Sequence, residues 1–232
     1  MILEKDTWLS QTIGIASYIS KTDTIEEYME SKPTSISSPY FITVKSKKSP
    51  ILDFNSRNKN IKFITLMNNY MWYPHSRTLL DGSPGILEFD LLDFDQVLRI
   101  GKNAFEHDRF NLDKRIDKNL AIKIKQSWLQ ANLLRERETK TLIYKLPNNA
   151  IIGFSSLLVT NKFLTIDLIA VKEQNRGQGI ASKLVRASQI YAQGLNLPIK
   201  VGTQQDNIAN KLYSNNGFVL HETLSIFHDL IL

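Results

Sequence analysis

The chain has 232 residues, of which 42% are hydrophobic, and a formal net charge of +6. This length is enough for one large domain or two small ones, each with a core of ordinary size. Because cysteine is absent, the composition excludes disulfides, thiolate metal sites and a cysteine nucleophile.

The hydrophobic residues occur in short runs, none of which approaches the roughly 18 residues that a membrane-spanning helix needs. The first residues include Glu4, Lys5 and Asp6 instead of the apolar core of a secretory signal. The densest basic stretch, residues 45–62, is interrupted by acidic and apolar residues, unlike a groove for single-stranded nucleic acid. We therefore expect a cytoplasmic protein that binds neither membranes nor nucleic acid, whose positive charge serves solubility or a polyanionic small ligand.

Turn-forming residues gather at residues 81–85, the clearest boundary in the sequence. We expect a small N-terminal α/β domain at residues 1–84 and a second domain at residues 85–232. In the first domain, residues 24–30 have the pattern of a short helix. Residues 40–45 and 61–67 have the apolar and β-branched content of strands.

The second domain begins with a predicted strand at residues 86–90 and a helix whose start Asp93 and Asp95 can cap. Another helix is predicted at residues 119–134. Three strands follow at residues 141–146, 150–159 and 163–171. The pairs Asn148-Asn149 and Asn161-Lys162 lie between them, where tight turns require residues that tolerate positive φ. This order predicts an antiparallel meander.

The third of these strands leads through residues 174–179 into an amphipathic helix, for which Gly194 stands at the expected C-terminal cap. A strand at residues 199–203, a helix at 208–215 and closing strands within 218–230 complete the pattern. The predicted fold class is α/β, with a mixed, mostly antiparallel sheet that splays open for a ligand and is flanked by helices.

A glycine turn between a strand and a helix favours anion binding, because several backbone N–H groups are left unpaired and point the same way. Gly177 and Gly179 keep side chains out of the ligand's path, and Arg176 can add a charge-assisted contact to a phosphate. Taken alone, such a turn can also be purely structural. The surrounding sequence fits neither the dinucleotide-binding fingerprint nor a Walker phosphate loop.

Two motifs resemble the GNAT superfamily of acetyl-CoA-dependent N-acetyltransferases. Residues 169–171 followed by residues 174–181 are similar to its pyrophosphate-binding strand and loop. Ala209, Leu212-Tyr213 and Gly217-Phe218 are similar to its A-x-x-L-Y-x-x-x-G-F signature. The resemblance implies a GNAT fold and acetyl-CoA as cosubstrate. It implies cofactor contacts from Ile169, Ala170, Val171, Arg176, Gly177, Gln178, Gly179, Ile180 and Ala181.

One position departs from the family pattern. The family usually has an asparagine seven residues before the signature tyrosine, where this chain has Asp206, with Asn207 one place later. Both residues are retained as candidate cofactor contacts.

The resemblance also implies direct transfer of the acetyl group to an amine, with Tyr213 as the general acid for the departing thiolate. A backbone N–H of residues 169–171 would face the thioester oxygen. The general base is left open among Asp167, Glu173, His107 and Asp108, while His228 is expected to be structural. No group of residues has the spacing of a metal site, and we expect no metal.

Scattered segments resemble the TDP-fucosamine acetyltransferases, which acetylate a nucleotide-linked amino sugar. They are Trp8-Leu9-Ser10 with Gly14, Ala104-Phe105 with Arg109-Phe110, Trp128 with Asn132, and Thr203-Gln204. The resemblance implies an acceptor of this kind, used in surface-polysaccharide biosynthesis. A protein amine, a polyamine and a non-catalytic acyl-CoA-binding module are the alternatives, and a homodimer is an open option.

Overall fold

The structure, a computed structural model, describes residues 2–33, 36–50, 54–57, 59–74, 85–102 and 104–231. The strands are β1 Ile2–Lys5, β2 Ala16–Thr22, β3 Tyr40–Ser46, β4 Ile61–Trp72, β5 Ile86–Glu88, β6 Thr139–Lys145, β7 Ile151–Val159, β8 Leu164–Val171, β9 Ile199–Gln204 and β10 Val219–Ile231. The helices are α1 Thr7–Ile13, α2 Ile25–Ser31, α3 Phe54–Arg57, α4 Phe94–Lys102, α5 Arg109–Leu112, α6 Lys118–Leu133, α7 Ile180–Gly194 and α8 Ala209–Asn215. Within these ranges no helix is both long and apolar enough to cross a bilayer.

The described residues form two compact units that are interleaved along the chain. Unit 1 takes residues from Met1–Asn68, His107–Ile124 and Glu222–Leu232, and unit 2 from Asn69–Glu106 and Lys125–His221. The division into residues 1–84 and 85–232 follows chain order instead, and it stays a prediction. Residues 81–84 of its boundary turn lie outside the described ranges.

Unit 2 contains a mixed, mostly antiparallel sheet with strand order β9-β8-β7-β6-β5. Strands β5 to β8 pair antiparallel, and β9 pairs parallel with β8. One core cluster joins the sheet to Val185 of α7 and Tyr213 of α8, while another joins it to Val97 of α4 and Leu129 of α6. Helices thus cover both faces, which confirms the predicted α/β class and the meander.

Some local predictions for unit 2 were wrong. Asp93 does not cap α4, because its buried carboxylate pairs with Lys145 Nζ at 2.8 Å. Gly194 is the last residue of α7, and the left-handed residue is Asn196 with φ 53°. Residues 219–231 form one strand, β10, and not several.

The two predicted hairpin turns differ in how they close. Asn149 has φ 64°, as a tight turn with positive φ requires. Asn161 and Lys162 have ordinary negative φ, and the turn is closed by the Thr160 hydroxyl, which donates to the carbonyl of Phe163 at 2.7 Å.

Unit 1 has the strand order β1-β2-β3-β10, in which β2 and β3 are parallel and the other neighbours antiparallel. Strands β1 and β2 were not predicted. The buried residues of β2 are Ser17, Ser20 and Thr22, so this strand lacks the apolar alternation by which a half-buried strand is recognised.

A buried carboxylate and a buried histidine meet in unit 1. Nδ1 of His228 lies 2.9 Å from Asp113 Oδ2, and Arg115 donates to the same oxygen at 2.8 Å. Burial alone would raise the pKa of Asp113, but the hydrogen bonds from His228 and Arg115 outweigh it and hold this pKa below its usual range. Burial lowers the pKa of His228 to about 4, against the opposing effect of Asp113. His228 is therefore a neutral structural residue at pH 7.

This histidine should make stability depend on pH. In the unfolded chain His228 takes up a proton near pH 6.5, whereas in the folded chain it does so only near pH 4. Its contribution is therefore complete above pH 6.5 and is lost as the pH falls toward 4, by up to about 1.4 kcal/mol per pH unit. Urea unfolding between pH 7 and 5 should give a falling free energy of unfolding.

The matched variant is His228→Asn, whose side-chain amide can still donate to Asp113. We expect a flatter dependence in this variant over the same pH range, where the Asp113 carboxyl is ionised in both states. Equal slopes for the two proteins would contradict the assignment of a neutral, proton-excluding His228.

Candidate functional site

A β-bulge interrupts β8 at its centre. In the register between β7 and β8, Leu157 faces Ile166 and Ser156 faces Leu168, so Asp167 has no partner across the ladder. A bulge of this kind disrupts the ladder locally and re-aims the residues that follow it.

The bulge reverses which face of the sheet the following side chains occupy. Leu164 and Ile166 pack in the cluster that contains α7, whereas Leu168 and Ala170 pack in the cluster that contains α4 and α6. In a regular strand all four would share one face, because side chains alternate with a period of two. The bulge therefore places the alternating apolar residues of β8 on one face before Asp167 and on the other face after it.

Strand β9 leaves β8 at the same point. Their parallel pairing runs from Leu164 opposite Ile199 to Ile166 opposite Val201 and then stops. Among the described strands, the second half of β8 therefore has a partner only on its β7 side. This is the splayed sheet that the sequence predicted.

The open edge of β8 presents unpaired backbone groups. The N–H of Lys172 donates to Ile152 of β7, and successive residues of a strand direct their N–H groups to opposite sides. The N–H groups of Ile169 and Val171 therefore point away from β7, toward the gap left by β9. They can reach a ligand that lies in this gap.

The predicted glycine turn has the backbone geometry of an anion site. Gly177 and Gly179 have φ 77° and 74°, and the exposed Gln178 lies between them. The first backbone bond of α7 runs from the N–H of Lys183 to the carbonyl of Gly179. The N–H groups of residues 177–182 have no partner in the described chain, and no side chain caps the helix. Such donors at a helix N-terminus attract anions.

Side chains around the turn connect it to the strand. Nε of Arg176 donates to the carbonyl of Val171 at 3.3 Å. Val171 and Ile180 are buried in one small cluster, against which Ile169 and Ala181 pack. The end of the open strand and the start of α7 are therefore brought together, as the resemblance implied.

Tyr213 lies in the core cluster against which Ile169 packs. Its ring centroid is 6.0 Å from that of Tyr70 and 5.6 Å from that of Phe218. The hydroxyl makes no hydrogen bond to any described residue, and burial raises the pKa of this phenol. Tyr213 thus keeps its proton at neutral pH.

Asp206 and Asn207 lie in the loop between β9 and α8. Asp206 is exposed, while the side-chain carbonyl of Asn207 accepts a hydrogen bond from the N–H of Ala209 at 2.9 Å. In this structure Asn207 supports the start of α8. Contact of either residue with a cofactor stays a prediction.

Sequence reasoning missed Asn210, which organises the same loop. Its Nδ2 donates to the carbonyls of Gln204, Gln205 and Asn207 at 2.7–2.9 Å, and its Oδ1 accepts from the Tyr70 hydroxyl at 3.1 Å. An asparagine in the first turn of a helix is a weak sequence signal, because the partners are backbone carbonyls that any sequence supplies.

Asp167, a candidate base, has three hydrogen-bond donors on Oδ2. They are Trp128 Nε1 and Asn132 Nδ2, both at 2.7 Å, and Arg137 Nη1 at 3.1 Å. The side chain of Asp167 is only 9% exposed. The four-residue spacing of Trp128 and Asn132 puts them on one helix face, but their partner could not be read from the sequence.

The other candidate bases have simpler surroundings. Glu173 and His107 are exposed. Asp108 is buried and accepts from the N–H groups of Phe110 and Asn111 at 2.7 and 3.1 Å, which makes it the N-cap of α5. In the described ranges no three His, Cys, Asp or Glu side chains are grouped to hold a metal ion.

The bulged and splayed β8, the glycine turn and α7 define a fold of the GNAT acetyltransferase type. Residues 138–220 match the family described as "Acetyltransferase (GNAT) domain". These residues include the meander, the glycine turn and Tyr213. The family match supports an acyltransferase that uses an acyl-CoA and an amine acceptor.

Solved structures share this fold at low sequence identity. A functionally unknown conserved protein from Staphylococcus epidermidis has a TM-score of 0.61 at 14% identity, over 93% of this chain and 85% of that one. A GCN5-related N-acetyltransferase from Kribbella flavida has a TM-score of 0.57 at 9% identity, over 93% and 81%. A GNAT-family acetyltransferase from Colwellia psychrerythraea has a TM-score of 0.53 at 12% identity, over 98% and 74%.

None of these three descriptions names an acceptor. No curated protein matches the chain at a significant level. The similarities therefore establish the fold, while the resemblance to the TDP-fucosamine acetyltransferases receives no support from them.

The left-handed backbone conformation of Gly179 can be tested by measuring the stability of a variant, without any ligand. An added Cβ at Gly179 would meet no atom within 4 Å, so Gly179→Ala tests φ and not crowding. We expect the free energy of unfolding in urea to fall by about 1–2 kcal/mol, the cost of a left-handed conformation for a residue with a Cβ.

Gly194→Ala is the matched control. It also has open space around the added Cβ, but it lies in the regular last turn of α7. We expect this variant to be as stable as the parent or more stable by about 0.5–1 kcal/mol. Equal effects of the two substitutions would contradict the turn geometry.

Proposed function

We propose that this protein transfers an acetyl group from acetyl-CoA to a primary amine. The observation that carries the proposal is the row of unpaired N–H groups at residues 177–182, next to the open edge of β8. A diphosphate suits the first feature, because its oxygens accept several N–H donors at once. An extended amide-containing arm suits the second, because it can pair with a free strand edge.

The proposed cofactor contacts follow this geometry. The N–H groups of Gly177, Gly179 and their neighbours would bind the pyrophosphate of acetyl-CoA, with Arg176 adding positive charge. Ile169 and Val171 would pair through their backbones with the pantetheine arm. Asp206 and Asn207 lie in the loop that follows β9, on the other side of the gap, and are proposed as further contacts.

In the proposed reaction the amine nitrogen attacks the thioester carbonyl carbon of acetyl-CoA. The backbone N–H of Ile169 would donate to the carbonyl oxygen as negative charge develops there. The carbon–sulfur bond then breaks, the attacking nitrogen gives up one proton to a base or to water, and the coenzyme A thiolate takes the proton of Tyr213, whose phenol is reprotonated from solvent. Burial raises the pKa of Tyr213, so the phenol carries its proton when the thiolate forms, while the same burial disfavours the phenolate that the transfer leaves behind.

The proposed acceptor is the amino group of a nucleotide-linked amino sugar. Nε1 of Trp128 donates a hydrogen bond to Asp167 at the bulge. Lys125 Nζ lies 4.4 Å from the centroid of the Trp128 ring, and the Arg137 guanidinium lies 5.8 Å from it. An aromatic ring can stack on a nucleobase, and neighbouring cations attract phosphates but repel a polycationic amine. This favours a nucleotide-linked amine over a polyamine.

A panel of acceptors tests this choice. Coenzyme A release is followed with a thiol reagent in the presence of nucleotide-linked amino sugars, free amino sugars, polyamines and peptides. We expect turnover with a nucleotide-linked sugar and little with its free sugar. Turnover with peptides or polyamines alone would replace the proposed acceptor. Tight acetyl-CoA binding with no turnover on any amine would indicate a non-catalytic acyl-CoA-binding module.

The role of Tyr213 gives a separate prediction. Because its hydroxyl makes no hydrogen bond within the described chain, Tyr213→Phe should leave stability and acetyl-CoA affinity nearly unchanged. The rate constant for coenzyme A release should fall by about 10²–10⁴-fold, the usual contribution of a general acid.

Tyr191→Phe, on the last turns of α7, is the control for loss of a phenol elsewhere in unit 2. We expect it to turn over at the parent rate. Normal turnover by Tyr213→Phe would show that another group, or water, protonates the thiolate.

A further inference from the structure

The bulge in β8 is tied to α6 by side chains. Asp167, the residue without a partner in β7, lies on the strand, while its donors Trp128 and Asn132 lie on α6 and Arg137 just before β6. All three donors converge on Oδ2. The bulged residue is thus bound by its side chain where its backbone has left the ladder.

The donors are themselves fixed by packing. Leu129 and Leu133, the residues that follow Trp128 and Asn132 along α6, are buried in the core cluster that also contains Leu168. The cationic groups of Lys125 and Arg137 both lie within cation–π distance of the Trp128 ring. Two of the three donors of Asp167 are therefore carried by a well-packed helix.

The bulge decides where the Ile169 N–H points. Before the bulge, the N–H of Leu164 donates to Pro198 on the β9 side, and after it the N–H of Lys172 donates to Ile152 on the β7 side. If residues 164–172 formed a regular strand with Asp167 in the ladder, Ile169 would therefore direct its N–H into β7. Only the bulged strand directs it into the gap.

We propose that Asp167 is a positioning residue, which through Trp128, Asn132 and Arg137 holds the bulge that aims the Ile169 N–H at the acyl carbonyl. This inference rests on the proposed function, because it assumes that the carbonyl of acetyl-CoA lies in the gap. Asp167 does not touch the reacting atoms in this role. It acts through the backbone two residues along the strand.

The contacts of Asp167 favour this role over that of general base. A carboxylate oxygen offers about two lone pairs, and Oδ2 already accepts from three donors, one of them a guanidinium. Oδ2 therefore has no lone pair left for an amine proton, and a base at this position would have to use Oδ1. An anchoring role uses the same three bonds as they stand.

The test compares acetyl-CoA with coenzyme A, which lacks the carbonyl. Amide proton and nitrogen resonances of Ile169, Gly177 and Gly179 are recorded in the full-length, nitrogen-15-labelled protein with each ligand. The variants are Trp128→Phe, which removes one donor but keeps a ring, and Asp167→Ala, which removes the acceptor of all three donors. Glu88→Gln is the control, since Glu88 accepts from Arg135 and Lys140 on the exposed edge of the same unit.

In the parent protein we expect both ligands to move the Gly177 and Gly179 resonances equally, and only acetyl-CoA to move Ile169 strongly. In both tether variants the difference between the ligands at Ile169 should fall to less than half, with the glycine shifts unchanged. Glu88→Gln should match the parent. A purely structural role for Asp167 would lower stability without changing this ligand difference, so thermal unfolding is measured in parallel.

Three other outcomes would each contradict a different part of the proposal. An undiminished difference at Ile169 in Trp128→Phe overturns the tether, and this variant suffices if Asp167→Ala does not fold. If the two ligands move the Ile169 resonance of the parent equally while the Gly177 and Gly179 resonances also move, the Ile169 N–H does not point at the acyl carbonyl. The proposed phosphate site would be unaffected by that result. Glycine resonances that respond to neither ligand reject the proposed function itself.

Discussion

The bulge at Asp167 is the constraint on which the rest of unit 2 depends. By inserting one residue it sends Leu164 and Ile166 to the α7 face and Leu168 and Ala170 to the face of α4 and α6. It occurs where the pairing with β9 ends. The change of face and the open edge of β8 thus occur at the same place in the strand, and both halves of the strand remain packed in a core cluster.

The sequence predicted the parts of this arrangement that are encoded locally. Glycines at 177 and 179, a strand before them and an amphipathic helix after them are all visible as residue types at fixed spacing. The bulge is not visible in that way. It is defined by the register of β8 against β7, and the alternation of apolar residues in β8 continues through it without a break, so the sequence reads as a regular strand.

The same distinction explains the other misses. Strand β2 buries serine and threonine, which a search for apolar alternation passes over. Asn210 bonds to main-chain carbonyls, and Asp167 bonds to three side chains that lie at least 30 residues away in sequence. The glycine turn was predictable because two glycines at fixed spacing encode it locally, whereas Asn210 and Asp167 depend on tertiary contacts.

The uncapped start of α7 has a consequence for the helix itself. Natural helices commonly satisfy their first N–H groups with a serine, threonine or aspartate side chain, but here Gly179 offers none. Within the described chain these donors have no partner, so water or a bound anion has to satisfy them. A diphosphate bound there would act as the missing cap. Binding would then stabilise the first turn of α7, and a change that destabilises this turn would weaken the binding of the diphosphate.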